Sequence, residues 1–186
     1  MKLELFRVFP YGGQLPPLYE ALPFLPNTSL QGNGRHDNPE RYAALYCSQS
    51  PISAIAESIQ NFKGRTFTAV DLERAEGSRL HLARFELRLD APLIDLDDPH
   101  VLSEYSARPS LVATSMRAVT QPRADRIHRT GALGILWWST IESLWINATL
   151  YIERVENRLT LLDKPSPLNI KGSIFQEAAG RAGILL

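Results

Sequence analysis

The chain has 186 residues, 44% hydrophobic and 22% charged, which is the size and composition of one ordinary globular domain able to bury roughly two-thirds of its unfolded-chain surface. Twenty Lys and Arg balance twenty Asp and Glu; with no excess basic charge, neither direct nucleic-acid binding nor attachment to an anionic membrane is expected. The single cysteine, Cys47, excludes an internal disulfide and points to reducing surroundings.

Residues 1–7 carry no long apolar run of the kind a signal peptide needs, and no apolar stretch approaches the roughly 18–20 residues that span a bilayer. A cytoplasmic protein is therefore expected. Arginine far outnumbers lysine, and its planar fork suits carboxylates and phosphates, although a GC-rich gene gives the same bias without any chemistry.

Residues 3–9 are predicted to form a strand, followed over residues 10–38 by a long irregular loop rich in Pro, Gly and Asn. Residues 43–47 are a second strand. Ser50-Pro51 then marks a helix start, with Ile52, Ile55, Ala56 and Ile59 at helical spacing along one apolar stripe. Glu57 lies to the side of that stripe and faces either solvent or the rim of a cleft. Further strands are predicted over residues 66–70, 80–89, 92–96, 133–138, 148–153 and 159–162. Short helices are predicted over 122–130, stopped by Gly131, and over 173–181. Strands dominate and the helices fall between them irregularly, which suits an α+β fold better than a regular βαβ winding.

Phosphate-cradling glycine loops and nucleophile elbows are missing from the sequence. The histidines His36, His81, His100 and His128 have no metal-ligand spacing, so no metal is expected. Asn147-Ala148-Thr149 matches a glycosylation sequon and is read as a chance match. What remains is an ordered set: Gly34-Arg35-His36-Asp37, Leu45-Tyr46-Cys47-Ser48, Ala54-Ile55-Ala56-Glu57 and, far downstream, Trp137-Trp138-Ser139. Each member alone has a plain structural reading, as a solvated loop, a core tyrosine, a helix-surface charge or a strand-end hydroxyl.

Together, these segments resemble the RES domain family, named for its arginine, glutamate and serine. Phe6-Arg7-Val8 matches the arginine of the family's first strand. His36 stands where members carry a larger aromatic, and Trp137-Trp138 where many have Tyr-Pro. The resemblance runs from about Phe6 to about Tyr151 and implies one compact RES-like domain with an ADP-ribosyltransferase-like fold, built of mixed twisted sheets and short helices.

The resemblance further implies an NAD-cleaving enzyme, either a phosphorylase or a glycohydrolase, acting as the toxin of a toxin–antitoxin pair and restrained by a helix-turn-helix antitoxin. A protein ADP-ribosyltransferase on the same site, or an inactive RES-like binding protein, are the alternatives. In that frame Glu57 supports the charge that develops on the ribose. Arg35, with Arg7, holds the pyrophosphate. Tyr46 stacks on or hydrogen-bonds near the nicotinamide, and Ser139 orients the ribose or the amide. Phosphate as co-substrate would need a second anion pocket, for which residues 116–123 together with Arg126 and Arg129 are the candidates.

Overall fold

The structure, a computed structural model, describes residues 1–12, 22–27, 29, 31–74 and 77–186. Its strands are β1 (Lys2–Tyr11), β2 (Ala44–Ser48), β3 (Arg79–Arg88), β4 (Leu93–Asp95), β5 (Gly134–Trp138), β6 (Ile146–Tyr151), β7 (Leu159–Leu161) and β8 (Ser166–Pro167). Its helices are α1 (Pro51–Ile59), α2 (Pro99–Glu104), α3 (Arg117–His128), α4 (Ile152–Val155) and α5 (Ser173–Ala182). The strands form one sheet in the order β4-β5-β6-β2-β1-β3-β7, with β8 also on β3. The β4–β5 pair is parallel and the other pairs are antiparallel. The α+β expectation holds, and the mixed sheet with short helices is consistent with an ADP-ribosyltransferase-like fold.

Alternation along the central strands sends side chains to two faces. One face buries Leu5, Leu45, Cys47, Ala148 and Leu150 in a common cluster. On the other, Ala44, Ile135, Trp137 and Tyr151 pack against Leu96, Leu102 and Ile127, which are carried by α2, α3 and their approaches. A third cluster joins Ile55 and Ile59 of α1 to Phe175, Ala178 and Ala179 of α5. The stripe read from the sequence is thus the buried face of α1. Glu57 stays outside it.

Several boundaries differ from the sequence reading. Residues 66–70 are not a strand: Thr66 makes one isolated bridge to Leu185, and Asp71 Oδ2 then accepts from both the Thr68 amide (2.7 Å) and its hydroxyl (2.8 Å). That reciprocal cap turns the chain into a short 3-10 helix, Ala69–Leu72. The helix predicted from Pro122 begins at Arg117 and runs through that proline, because Thr120 and Gln121 are held by tertiary contacts. α2 was not foreseen, although Asp98 caps it through the His100 amide at 2.8 Å. β6 ends at Tyr151, where residues 152–155 turn into α4.

Strand β1 runs on to Tyr11, past the predicted end. Of the following loop, residues 13–21 with 28 and 30 lie outside the described residues. Among the described residues no helix is long and apolar enough to cross a membrane.

Candidate functional site

The antiparallel register assembles the floor of a cleft. Ser48 of β2 pairs with Asn147 of β6, Asn147 with Trp137 of β5, and Ser48 with Phe6 of β1. One row of side chains therefore crosses four strands. Phe6–Ser48 is the registered pair between β1 and β2. There the guanidinium of Arg7 reaches the Tyr46 carbonyl at 2.6 Å. One wall is α1, whose Ala54, Glu57, Ser58 and the following Asn61 recur at helical spacing and so share a face. The volume of this open cleft is about 480 Å³, within the usual range for a small-molecule site.

The cleft has an acidic end. Glu57 Oε1 accepts from Ser139 Oγ at 2.6 Å and from Asn147 Nδ2 at 2.8 Å, and its Oε2 accepts from Gln60 Nε2 at 2.9 Å. All three donors are neutral, so they hold the carboxylate without cancelling its charge. Ser139 is 2% exposed and its Oγ also accepts from the Ile141 amide at 3.0 Å. The Ser139 proton is thereby directed at Glu57, and its hydroxyl is taken up inside the protein. Residue periodicity left Glu57 open to solvent or cleft. Packing puts it at the cleft.

The opposite end is cationic. Arg35 donates to the Thr114 carbonyl and its guanidinium lies 4.7 Å from the Trp137 ring centroid, a cation–π stack. Arg117 donates to the Asn33 carbonyl. Three residues on the first turns of α3 clasp this loop: Arg117, Thr120 on the Arg35 carbonyl, and Gln121 on the Gly34 carbonyl at 2.9 Å. Arg7, Arg35 and Arg117 all line the cleft, and none has an ion-pair partner among the described residues. The Nε of Arg7 is buried without a hydrogen bond among the described residues. Burial holds the pKa of Arg7 and of Arg35 below the ordinary arginine value; both guanidiniums remain charged.

Tyr46 and Asp37 fasten the loop from below. Asp37 Oδ2 accepts from the amides of Gly32 (2.8 Å) and Gly34 (2.7 Å), and Oδ1 accepts from the Tyr46 hydroxyl at 2.7 Å. The same hydroxyl accepts from the His36 amide at 2.8 Å. Its proton is spent, and burial together with Asp37 pushes its pKa up; what Tyr46 offers the cleft is its ring. Gly34 is required here because an added Cβ would collide with the Tyr46 hydroxyl and the Asp37 carboxylate. His36 is buried, bonded through Nδ1 to Thr149 Oγ1 at 2.8 Å, and its pKa is lowered to about 3 by burial, Arg35 and Arg123. Burial pushes the Cys47 thiol up to about 12, which makes it an inert packing residue.

Arg7, Arg35, Tyr46 and Glu57 therefore line one concavity, and Ser139 stands behind Glu57. Of the candidate second anion pocket, Arg117 reaches the cleft. Arg126 instead covers the Tyr105 ring and Arg129 pairs with Asp125 at 2.7 Å. In the sequence Asn147 is read only as part of a chance sequon; its signal was a polar residue beside the apolar positions of a strand. Among the described residues no cluster of His, Cys, Asp and Glu is placed to hold a metal.

The RES domain family matches residues 5–155, a span that contains every one of these cleft residues. The chain belongs to the RES domain family. Its fold is also similar to a chain of the M. tuberculosis MbcT–MbcA toxin–antitoxin complex, with a TM-score of 0.63 at 16% identity, covering 97% of this chain and 90% of that one. At that identity the likeness concerns the fold. No curated protein matches the chain.

Proposed function

We propose that this RES protein cleaves the nicotinamide–ribose bond of NAD and serves as the toxin of a toxin–antitoxin pair. The observation that carries the proposal is the polarity of the cleft: a carboxylate held by neutral donors at one end, and guanidiniums that form no ion pair among the described residues at the other. NAD has the complementary polarity, a cationic nicotinamide riboside joined to an anionic diphosphate.

In this reading Arg35 and Arg117 take the diphosphate, with Arg7 adding positive potential from beneath. The Tyr46 ring packs against the nicotinamide side. Glu57 accepts from a ribose hydroxyl and favours the oxocarbenium-like charge that grows as the glycosidic bond breaks. The C1′–N bond breaks with its electron pair leaving on nicotinamide. An oxygen of water or phosphate then bonds to C1′ and its proton goes to solvent, giving ADP-ribose or its phosphate ester. Ser139 contributes through Glu57, since its hydroxyl has no proton left for the sugar.

The family membership and the fold likeness to a chain of a toxin–antitoxin complex support the biological half of the proposal. We read the whole chain as one RES-like domain acting in the cytoplasm, where NAD is available, and held inactive by an antitoxin of helix-turn-helix type. The test is purified, partner-free protein incubated with NAD, with and without phosphate, and its products separated. Release of nicotinamide is expected, and the phosphate dependence of the second product identifies the attacking group. NAD left intact by folded protein would remove the proposal.

A further inference from the structure

We infer that Asn147 is a positioning residue for Glu57, clamping Oε1 and leaving Oε2 as the oxygen that meets the substrate. The catalytic sense of this inference rests on the proposed NAD cleavage; its structural sense does not. Asn147 is 2% exposed and sits where three elements meet. Its Oδ1 accepts from Ser48 Oγ of β2 at 2.5 Å and from Ser53 Oγ of α1 at 3.0 Å. Its Nδ2 donates to Glu57 Oε1 at 2.8 Å.

The local geometry dictates this bridge. Ser53 and Glu57 lie four residues apart on α1, so one turn of helix, about 6 Å, separates them on the same face. A single amide fits between them with its oxygen to the serine and its nitrogen to the acid. Ser48 is the register partner of Asn147 and fixes the amide from the strand side. With two hydroxyls on Oδ1 and a carboxylate beyond Nδ2, the amide has one orientation.

The two oxygens of Glu57 consequently differ. Oε1 takes both buried donors, Asn147 and Ser139. Oε2 has Gln60, an exposed side chain three residues along the same stretch of chain. A ribose hydroxyl can displace a surface glutamine at little cost, whereas displacing the buried pair would strand polar groups. An arginine in place of Asn147 would hold the acid as firmly but would neutralise the charge that the reaction uses.

The test compares Asn147→Ala, Asn147→Asp and the double variant Ser48→Ala/Ser53→Ala in the full chain. Asn147→Ala is expected to lower kcat for NAD cleavage at least tenfold with KM within about twofold, and the serine pair to lower it less in the same direction. Asn147→Asp keeps the side-chain shape but sets a second carboxylate against Glu57. It is expected to fall below Asn147→Ala at pH 8 and to recover as pH is lowered and the pair takes up a proton. A role in packing alone predicts the reverse order. Wild-type kcat in Asn147→Ala, or an Asn147→Asp variant better than Asn147→Ala at pH 8, overturns the inference.

A second arm needs no substrate and no mutation at Asn147. In nitrogen–proton spectra of the unliganded protein, Glu57→Ala is expected to shift the Asn147 side-chain amide pair strongly. An unmoved pair overturns the inference even if Asn147→Ala fails to fold. Wild-type protein that leaves NAD intact but shows the shift would sink NAD cleavage and uphold the positioning.

Discussion

The two ends of the cleft are built in different ways. At the acidic end, buried side chains from β2, β6, α1 and Ser139, which follows β5, converge on Glu57 directly or through Asn147 by side chain–side chain hydrogen bonds. At the cationic end, Arg35 and Arg117 lean on backbone carbonyls of neighbouring loops. A carbonyl orients a guanidinium without cancelling its charge, just as a neutral amide orients a carboxylate. Each end thus keeps a net charge, but the acidic end is held by sheet register and the cationic end by loop packing. The first is suited to fixing a reacting atom, the second to receiving a flexible anion.

The comparison breaks most readily at Glu57. Glu57→Gln is expected to lower turnover on the order of a hundred- to a thousandfold with the melting temperature little changed; steady-state kinetics on folded variant protein measures it, and retained turnover would empty the acidic end of its role. Arg35→Ala should act mainly on binding. Losing one charge-assisted contact of roughly 1.5–3 kcal/mol raises KM about ten- to a hundredfold. Arg117 is exposed, so Arg117→Ala should have a smaller effect that shrinks further in high salt. Equal losses in kcat at Arg35 and Glu57 would erase the distinction between the ends.

A fourth prediction concerns stability beneath the cationic end. The pKa of His36 is lowered to about 3, so the folded state resists a proton that the unfolded chain accepts near pH 6.5. Its contribution is complete above that value and declines as pH falls toward 3. Between pH 7 and pH 5 the loss should be about 1–2 kcal/mol, read as a falling denaturation midpoint that His36→Phe flattens. The smallest effect belongs to Arg126 and Arg129, whose partners lie away from the cleft. Their double alanine variant should cleave NAD with unchanged KM at every phosphate concentration, and a phosphate-dependent defect would extend the cationic end to them.

Much of this was legible in the chain itself. The Ser50-Pro51 start of α1 stands where expected, although the Ser50 side chain makes no capping bond, because proline and the apolar stripe suffice locally. The alternation of residues 80–89 and the Gly131 stop, with its φ of +87°, were visible for the same reason. The Thr68–Asp71 cap escaped because β-branched residues around it mimic a strand, and Pro122 misled because proline ordinarily opens a helix rather than sitting inside it. Tertiary bonds from Thr120 and Gln121 to the Arg35 loop outweigh that preference.

By itself the sequence determined the α+β class, the buried face of α1, and the order of Arg35, Tyr46 and Glu57 that marks a RES domain, since all of these are written in local spacing. Only the tertiary structure decided which way Glu57 turns, that Ser139 stands behind it, and that Asn147 belongs with it. Those partners lie 82 and 90 residues away along the chain, and sheet register, which no local pattern encodes, brings them within a hydrogen bond.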